Sequence, residues 1–161
     1  MAKVTSLIPS LLCEKFRLLL PGIIHKLSMT EEFQELPEIR ITDQNISPDI
    51  LEKKSGAAYP SLHVYCDRFE NQLVEKFRTF SGIVNSVAEI RISHDYISAL
   101  TEQERILTEA VSEVLNQLRG DLGEGIFFGG VYDISFSPIK HGGKNYFQAI
   151  KINFPLNVSL D

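Results

Sequence analysis

Four histidines, two cysteines and several paired acids are the only side chains in this sequence with obvious chemical reach. His63 and Cys66 offer an imidazole and a thiol, the elements of a metal site or an activated nucleophile. Their spacing works against both. The stretch around them alternates like a strand, and side chains three apart on a strand point to opposite faces. A packed cysteine and a separately paired histidine fit better. His94-Asp95 suggests an acid/base pair at a strand end. Neighbouring residues seldom bring both groups onto one proton, and no third group is suggested, so a polar turn is the plainer reading. Gly123-x-Gly125 and Gly129-Gly130 resemble a phosphate loop only in composition. A dinucleotide fingerprint runs strand, glycines, helix, whereas here the glycines follow a helix and precede or interrupt a strand. Gly142-Gly143-Lys144 lacks the spacing of a P-loop. Glu102, Glu104 and Glu109 read as solvated acids on a helix surface.

Two places have a composition suited to contact rather than reaction. Phe77-Arg78-Thr79-Phe80 lies between two strands and runs into Ser81-Gly82. Phenylalanine and arginine in a loop are an interface composition, so Phe77, Arg78 and Phe80 are candidate assembly contacts, with core packing as the competing account. Lys140, His141 and Lys144 form a small basic hairpin tip that could meet phosphate or an acidic partner, and His141 and Lys144 are the second candidate contact, with an ordinary solvated turn as the competing account.

The elements that must position these residues follow from periodicity. Over residues 5–27, Leu7, Leu11, Leu12, Phe16, Leu19, Leu20, Ile23, Ile24 and Leu27 mark a helical face. Ser6 is its expected cap, and Pro21-Gly22 is expected to kink or end it near Leu20. Residues 28–58 form an acidic, irregular arm with Glu31, Glu32, Glu35 and Glu38. A short strand is expected from Glu38 to Ile41 and a short helix from Ser47 to Lys54. From Tyr59 the pattern sharpens. Leu62, Val64 and Cys66 alternate with His63, Tyr65 and Asp67 as a half-buried strand. A longer strand runs from Ile83 to Ser93, with Ala88, Ile90 and Ile92 on one side and Glu89 and Arg91 on the other. Thr101 and Glu104 spell a capping box. Leu107, Val111, Val114, Leu115 and Leu118 make the apolar stripe of the helix that follows, ending at Arg119-Gly120. Asp121 to Gly125 reads as a loop, and strands over Phe127–Pro138 and Asn145–Phe154 are joined by a glycine hairpin. The fold class is therefore α+β, a mainly antiparallel, curved sheet with helices on one face.

The chain has 161 residues, 43% hydrophobic and 23% charged, with a net charge of −5. These values exclude wholesale disorder and low-complexity architecture. One domain spanning 1–161 is expected: an N-terminal helical segment (1–27), the arm (28–58) and a sheet-plus-helix core (59–161). A chain this long buries roughly 70% of its unfolded surface and needs neither metal nor disulfide for a core. Two cysteines without a CxxC suggest a reducing compartment. Ser10-Leu11-Leu12-Cys13 has the outline of a lipobox, but Leu12 is too large beside a cleavage site and Glu14, Lys15 and Arg17 follow at once. No stretch approaches the roughly 18 apolar residues of a membrane span. Residues 1–27 carry +3, and residues 28–58 and 59–161 carry −4 each. No basic block marks a nucleic-acid surface.

Several spread-out features carry a family resemblance. They are Tyr59-Pro60 before Leu62-His63-Val64-Tyr65, Phe77-Arg78-Thr79-Phe80-Ser81-Gly82, Glu89-Ile90-Arg91, Thr108-Glu109-Ala110-Val111, Gly129-Gly130-Val131-Tyr132, and Gly143-Lys144-Asn145-Tyr146-Phe147. Over Tyr59 to Phe154, 96 of 161 residues, the sequence resembles the bacteriophage tail terminator proteins. The resemblance implies a curved, mostly antiparallel sheet with helices on one side. It implies a homohexameric ring at the tail–neck junction of a virion, made in the host cytoplasm, touching tube protein below and neck proteins above. It implies no cofactor and no turnover, with DNA passing through the lumen unbound. Six copies carry −30, and an acidic lumen would repel DNA phosphates. The long arm suggests a subunit clasp or a contact with sheath or neck. Two rivals remain. One is another neck, head–tail joining or tube protein. The other is a small enzyme using His63, Cys66, His94 or His141.

Overall fold

A computed structural model describes residues 2–30, 36, 38–48 and 58–161. Helix α1 spans Ala2–Thr30 and helix α2 spans Ile97–Leu118. Among the described residues there are eight strands: β1 (Arg40–Thr42), β2 (Ser61–Asn71), β3 (Phe80–His94), β4 (Gly120–Gly123), β5 (Ile126–Phe128), β6 (Asp133–Phe136), β7 (Lys140–Gly142) and β8 (Asn145–Leu160). They form one sheet in the order β1-β2-β3-β8-β5-β4, with β6 and β7 also paired to β8. This is the α+β fold expected, curled into a half-barrel. The sheet is mixed, because β1 lies parallel to β2 while the other pairs are antiparallel.

The core lies between the two helices and one sheet face. Val4, Ile8, Leu12, Phe16 and Leu20 of α1 meet Leu100, Leu107, Val111, Val114 and Leu115 of α2 over Leu62, Val64, Ala88, Ile90, Ile152 and Phe154. The α2 stripe read from the sequence is the buried one.

Helix α1 does not stop at Leu20. It passes through Pro21 and Gly22 to Thr30, taking residues 28–30 from the expected arm. Pro21 and Gly22 face solvent, whereas Ile23, Ile24 and Leu27 pack on the core. An interior proline costs about 3 kcal/mol. Several partly buried aliphatic side chains together offset that. Helix α2 begins four residues before the expected cap. Tyr96 holds the N-cap position with no side-chain cap, and Thr101 Oγ1 donates to the Ile97 carbonyl at 3.0 Å. Burial of Leu100, in the first turn, wins over the capping box.

The strand expected at Phe127–Pro138 is broken into β5 and β6. From Phe127 to Asp133 the chain advances six residues while β8 advances four, from Asn157 to Asn153. The two extra residues are looped out beside Gly129-Gly130. The expected loop at Asp121–Gly125 is the β4–β5 hairpin, with Glu124 and Gly125 at positive φ. Strand β8 runs to Leu160, through Pro155. Residues 154–156 face the gap between β5 and β6, where a missing N–H does least harm. The short strand expected at Glu38–Ile41 is β1, shifted to Arg40–Thr42. Glu31, Glu32, Glu35 and the expected helix beyond Pro48 lie outside the described residues.

Candidate functional site

Among the described residues, the β2–β3 loop is an exposed segment held by a dense set of polar contacts. Asn71, the last residue of β2, accepts through Oδ1 from the backbone amides of Leu73 (3.3 Å) and Ser81 (3.1 Å). Ser81 Oγ accepts from the Glu75 amide at 2.8 Å, and its carbonyl accepts from Gln72 N at 3.0 Å. Glu75 Oε2 in turn accepts from Arg78 Nε (3.2 Å) and Ser159 Oγ (3.0 Å). Arg78 also pairs with Asp161. That hydrogen bond and the Asp161 and Glu75 charges hold the guanidinium above its ordinary range. Beneath the loop, a Cβ on Gly82 would run into the Glu70 carbonyl, so only glycine fits where β3 crosses β2.

This polar frame presents apolar side chains to water. Leu73, Val74 and Phe77 are 64%, 71% and 101% exposed. Leu73 and Phe77 have φ of 50° and 70°, the left-handed region that non-glycine residues avoid. Such positions cost of order 1–3 kcal/mol each and cluster at functional sites. Lys76 stands beside Phe77, also exposed. Of the three contact candidates here, Phe77 is fully exposed and Arg78 is the loop's clamp. Phe80 is a correction: it is fully buried in the core, because it sits one residue into β3 on the helix-covered face, opposite Leu160. The contributions of Leu73 and Val74 were missed, although an apolar pair just after a strand-ending Asn-Gln was the available signal.

The second candidate is the β7–β8 hairpin. Lys144 is exposed in its turn, beside Gly143 at positive φ, and His141 is exposed on β7, its ring packing edge-on to Tyr146 at 5.1 Å.

The remaining reactive side chains do not converge. Cys66 lies on the core side, its Sγ 3.6 Å from Ser86 Oγ. Burial pushes the thiols of Cys13 and Cys66 up to about 11. His63 sits on the sheet face opposite the helices. There Nδ1 lies 2.9 Å from the Gln44 carbonyl and Nε2 lies 3.2 Å from Ser61 Oγ. The carbonyl can only accept, so Nδ1 carries the proton and Nε2 accepts from the hydroxyl. Burial lowers its pKa. His94 and Asp95 do touch, contrary to expectation, at 2.9 Å, but His94 Nδ1 also accepts from the Tyr96 amide at 3.0 Å, and among the described residues no further acid or base is paired with them. Among the described residues no cluster of three or more His, Cys, Asp or Glu side chains could hold a metal ion, and no helix is long and apolar enough to cross a membrane.

A buried polar network lies beside His63. Glu89 accepts from Tyr65 Oη at 3.2 Å, lies 3.6 Å from Lys151 Nζ and pairs with Arg91 Nε, while Arg91 Nη1 is buried with no hydrogen-bond partner among the described residues. Burial and the Glu89 charge raise the Tyr65 pKa. The network cross-links β2, β3 and β8. The sequence placed Glu89 and Arg91 away from the apolar row but gave no sign that this face, too, is covered.

A scan against protein-family models and a search of curated proteins return no match to this sequence.

Proposed function

We propose that this chain is a structural phage virion protein of the tail-terminator kind. It forms a homo-oligomeric ring, a hexamer in the expected form, at the tail–neck junction. The ring caps the tail tube, ends its polymerisation and joins it to neck proteins, with no cofactor. Two things support the reading. One is the resemblance over Tyr59 to Phe154. The other is an α+β fold of the kind that resemblance implies. The observation that carries it is Phe77, wholly exposed on a left-handed backbone that Asn71, Glu75, Arg78 and Ser81 hold in place. Leu73, Val74 and Phe77 together make an exposed apolar patch held by that frame, the kind of surface that a partner covers.

The physics of the role is one of matched and mismatched surfaces. A head-to-tail contact either closes into a ring or continues as a filament. A terminator closes sideways, matches the tube on one face and fails to match another tube ring on the opposite face. Electron microscopy of the purified protein and of isolated tails tests this, together with mixing against purified tube protein. Rings and tubes of fixed, capped length are expected. A protein that stays monomeric at high concentration and leaves no ring on tails overturns the reading. Extended tubes formed by this chain alone make it the tube protein instead.

A further inference from the structure

A second feature of the surface matches the β2–β3 loop in chemistry and lies at the other end of the sheet. Between the first half of α2 and strand β6 runs a groove of 540 Å³. Glu102, Glu104 and Glu109 line it with Arg105 and Thr101, and Phe136, 52% exposed, forms its apolar wall. Three acids against one base leave it negative, and Arg105 lies 3.9 Å from Glu109, so its charge is already engaged. The loop offers an aromatic side chain standing free and, beside it, one cation: Arg78 is taken up by Glu75 and Asp161, which leaves Lys76 exposed and outside those ion pairs.

The two features cannot meet within one copy. Phe136 pairs with Ile150, and Phe80, at the foot of the loop, pairs with Leu160. Ten residues of β8 separate those positions, roughly 30 Å of strand, and the loop continues beyond the sheet's end.

We infer that the occupant of this groove is the β2–β3 loop of a second copy of the chain. Phe77 inserts against Phe136 and Lys76 meets the Glu102 and Glu109 carboxylates. Two different surfaces at opposite ends of one molecule make a heterologous contact, which propagates around a ring instead of stopping at a dimer. Phe77 acts as the aromatic anchor and the acidic rim sets its register. The inference rests on the ring reading above and assigns its lateral contact.

The test uses Phe77→Ser, Phe136→Ser and Lys76→Glu in the full chain, with association followed by sedimentation. Loss of an aromatic anchor is worth a factor of about 30 or more in association, and that loss is expected for each phenylalanine variant. Mixing the two discriminates further. The Phe136→Ser copy keeps an intact loop and the Phe77→Ser copy an intact groove, so the mixture is expected to give heterodimers and no rings. Lys76→Glu alters only an exposed charge; it is expected to weaken association, and Glu102→Lys to restore part of it. If the wild-type chain forms rings and both phenylalanine variants form them equally well, this contact is wrong and the ring reading stands. If Phe77→Ser rings form normally but no longer cap tubes, the loop belongs to the tube contact and the inference falls. If the wild-type chain neither associates at high concentration nor leaves a ring on tails, both readings fail together.

Discussion

His63 shows how far a single residue's role depends on its surroundings. Taken alone it is a candidate ligand or base. In the fold it is a clamp, with one nitrogen donating to the Gln44 carbonyl and the other accepting from Ser61. Burial favours its neutral form, with the nearby Arg91 charge acting in the same direction, against the bond to Gln44. The folded-state pKa therefore lies below the ordinary 6.5. Below that ordinary value the unfolded chain takes up a proton that the folded chain refuses. Stability supplied by this residue is thus complete above about pH 6.5 and is lost as pH falls toward the folded-state pKa. Urea denaturation at pH 7.5, 6.5 and 5.5 should show the wild-type chain losing more than His63→Asn, by at most about 1.4 kcal/mol per pH unit. A wild-type slope no steeper than the variant's overturns the assignment. Phe77 and Phe80 teach the same lesson. They are three residues apart and chemically identical, yet one is wholly exposed and the other wholly buried. Composition could nominate the loop, but it could not say which ring points out.

The elements were legible where one strong periodicity governed them. The α2 stripe and the apolar rows of β2 and β3 were evident because a covered face demands them. Breaks were not legible where local signals compete with packing. Pro21-Gly22 reads as a helix end, yet the apolar positions that follow it hold α1 together to Thr30. Gly129-Gly130 reads as an interruption of a strand, but only the register against β8 shows that two residues are looped out. The glycines make this testable. Gly22 has open space around its Cα and sits in an exposed helical turn. Gly22→Ala is expected to stabilise the chain by about 0.5–1 kcal/mol. A Cβ added at Gly82 would overlap the Glu70 carbonyl oxygen and stand 2.8 Å from the Gln72 backbone nitrogen. Gly82→Ala must push β3 from β2 and is expected to cost about 2 kcal/mol or more. Thermal denaturation of the pair should move in opposite directions. A neutral Gly82→Ala would mean that the strand crossing is looser than the geometry requires.

At the scale of the whole molecule, the charge total and the proposed contact pull against each other. Each copy carries −5. A chain of this length has a radius of gyration of roughly 15 Å, so neighbours in a ring sit about 40 Å apart. Two charges of −5 at that distance repel by about 3 kcal/mol in unscreened water. With a Debye length of about 30 Å at 0.01 M salt this falls below about 1 kcal/mol, and at 0.15 M it all but vanishes. The attraction between Lys76 and the groove acids is an exposed ion pair worth about 0–1 kcal/mol, and salt weakens it as well. The two terms are of similar size and opposite sign, so they nearly cancel along the salt axis. What remains is the burial of Phe77, which salt at these concentrations scarcely changes. Self-association measured by sedimentation should therefore vary less than about tenfold between 0.01 M and 0.15 M salt. A hundredfold fall across that range would mean that charge pairs hold the copies together, and a steep rise would mean that like charges face each other across the contact. Either result removes Phe77 as the principal anchor, whereas a flat profile together with a large loss in Phe77→Ser assigns the contact to the aromatic ring.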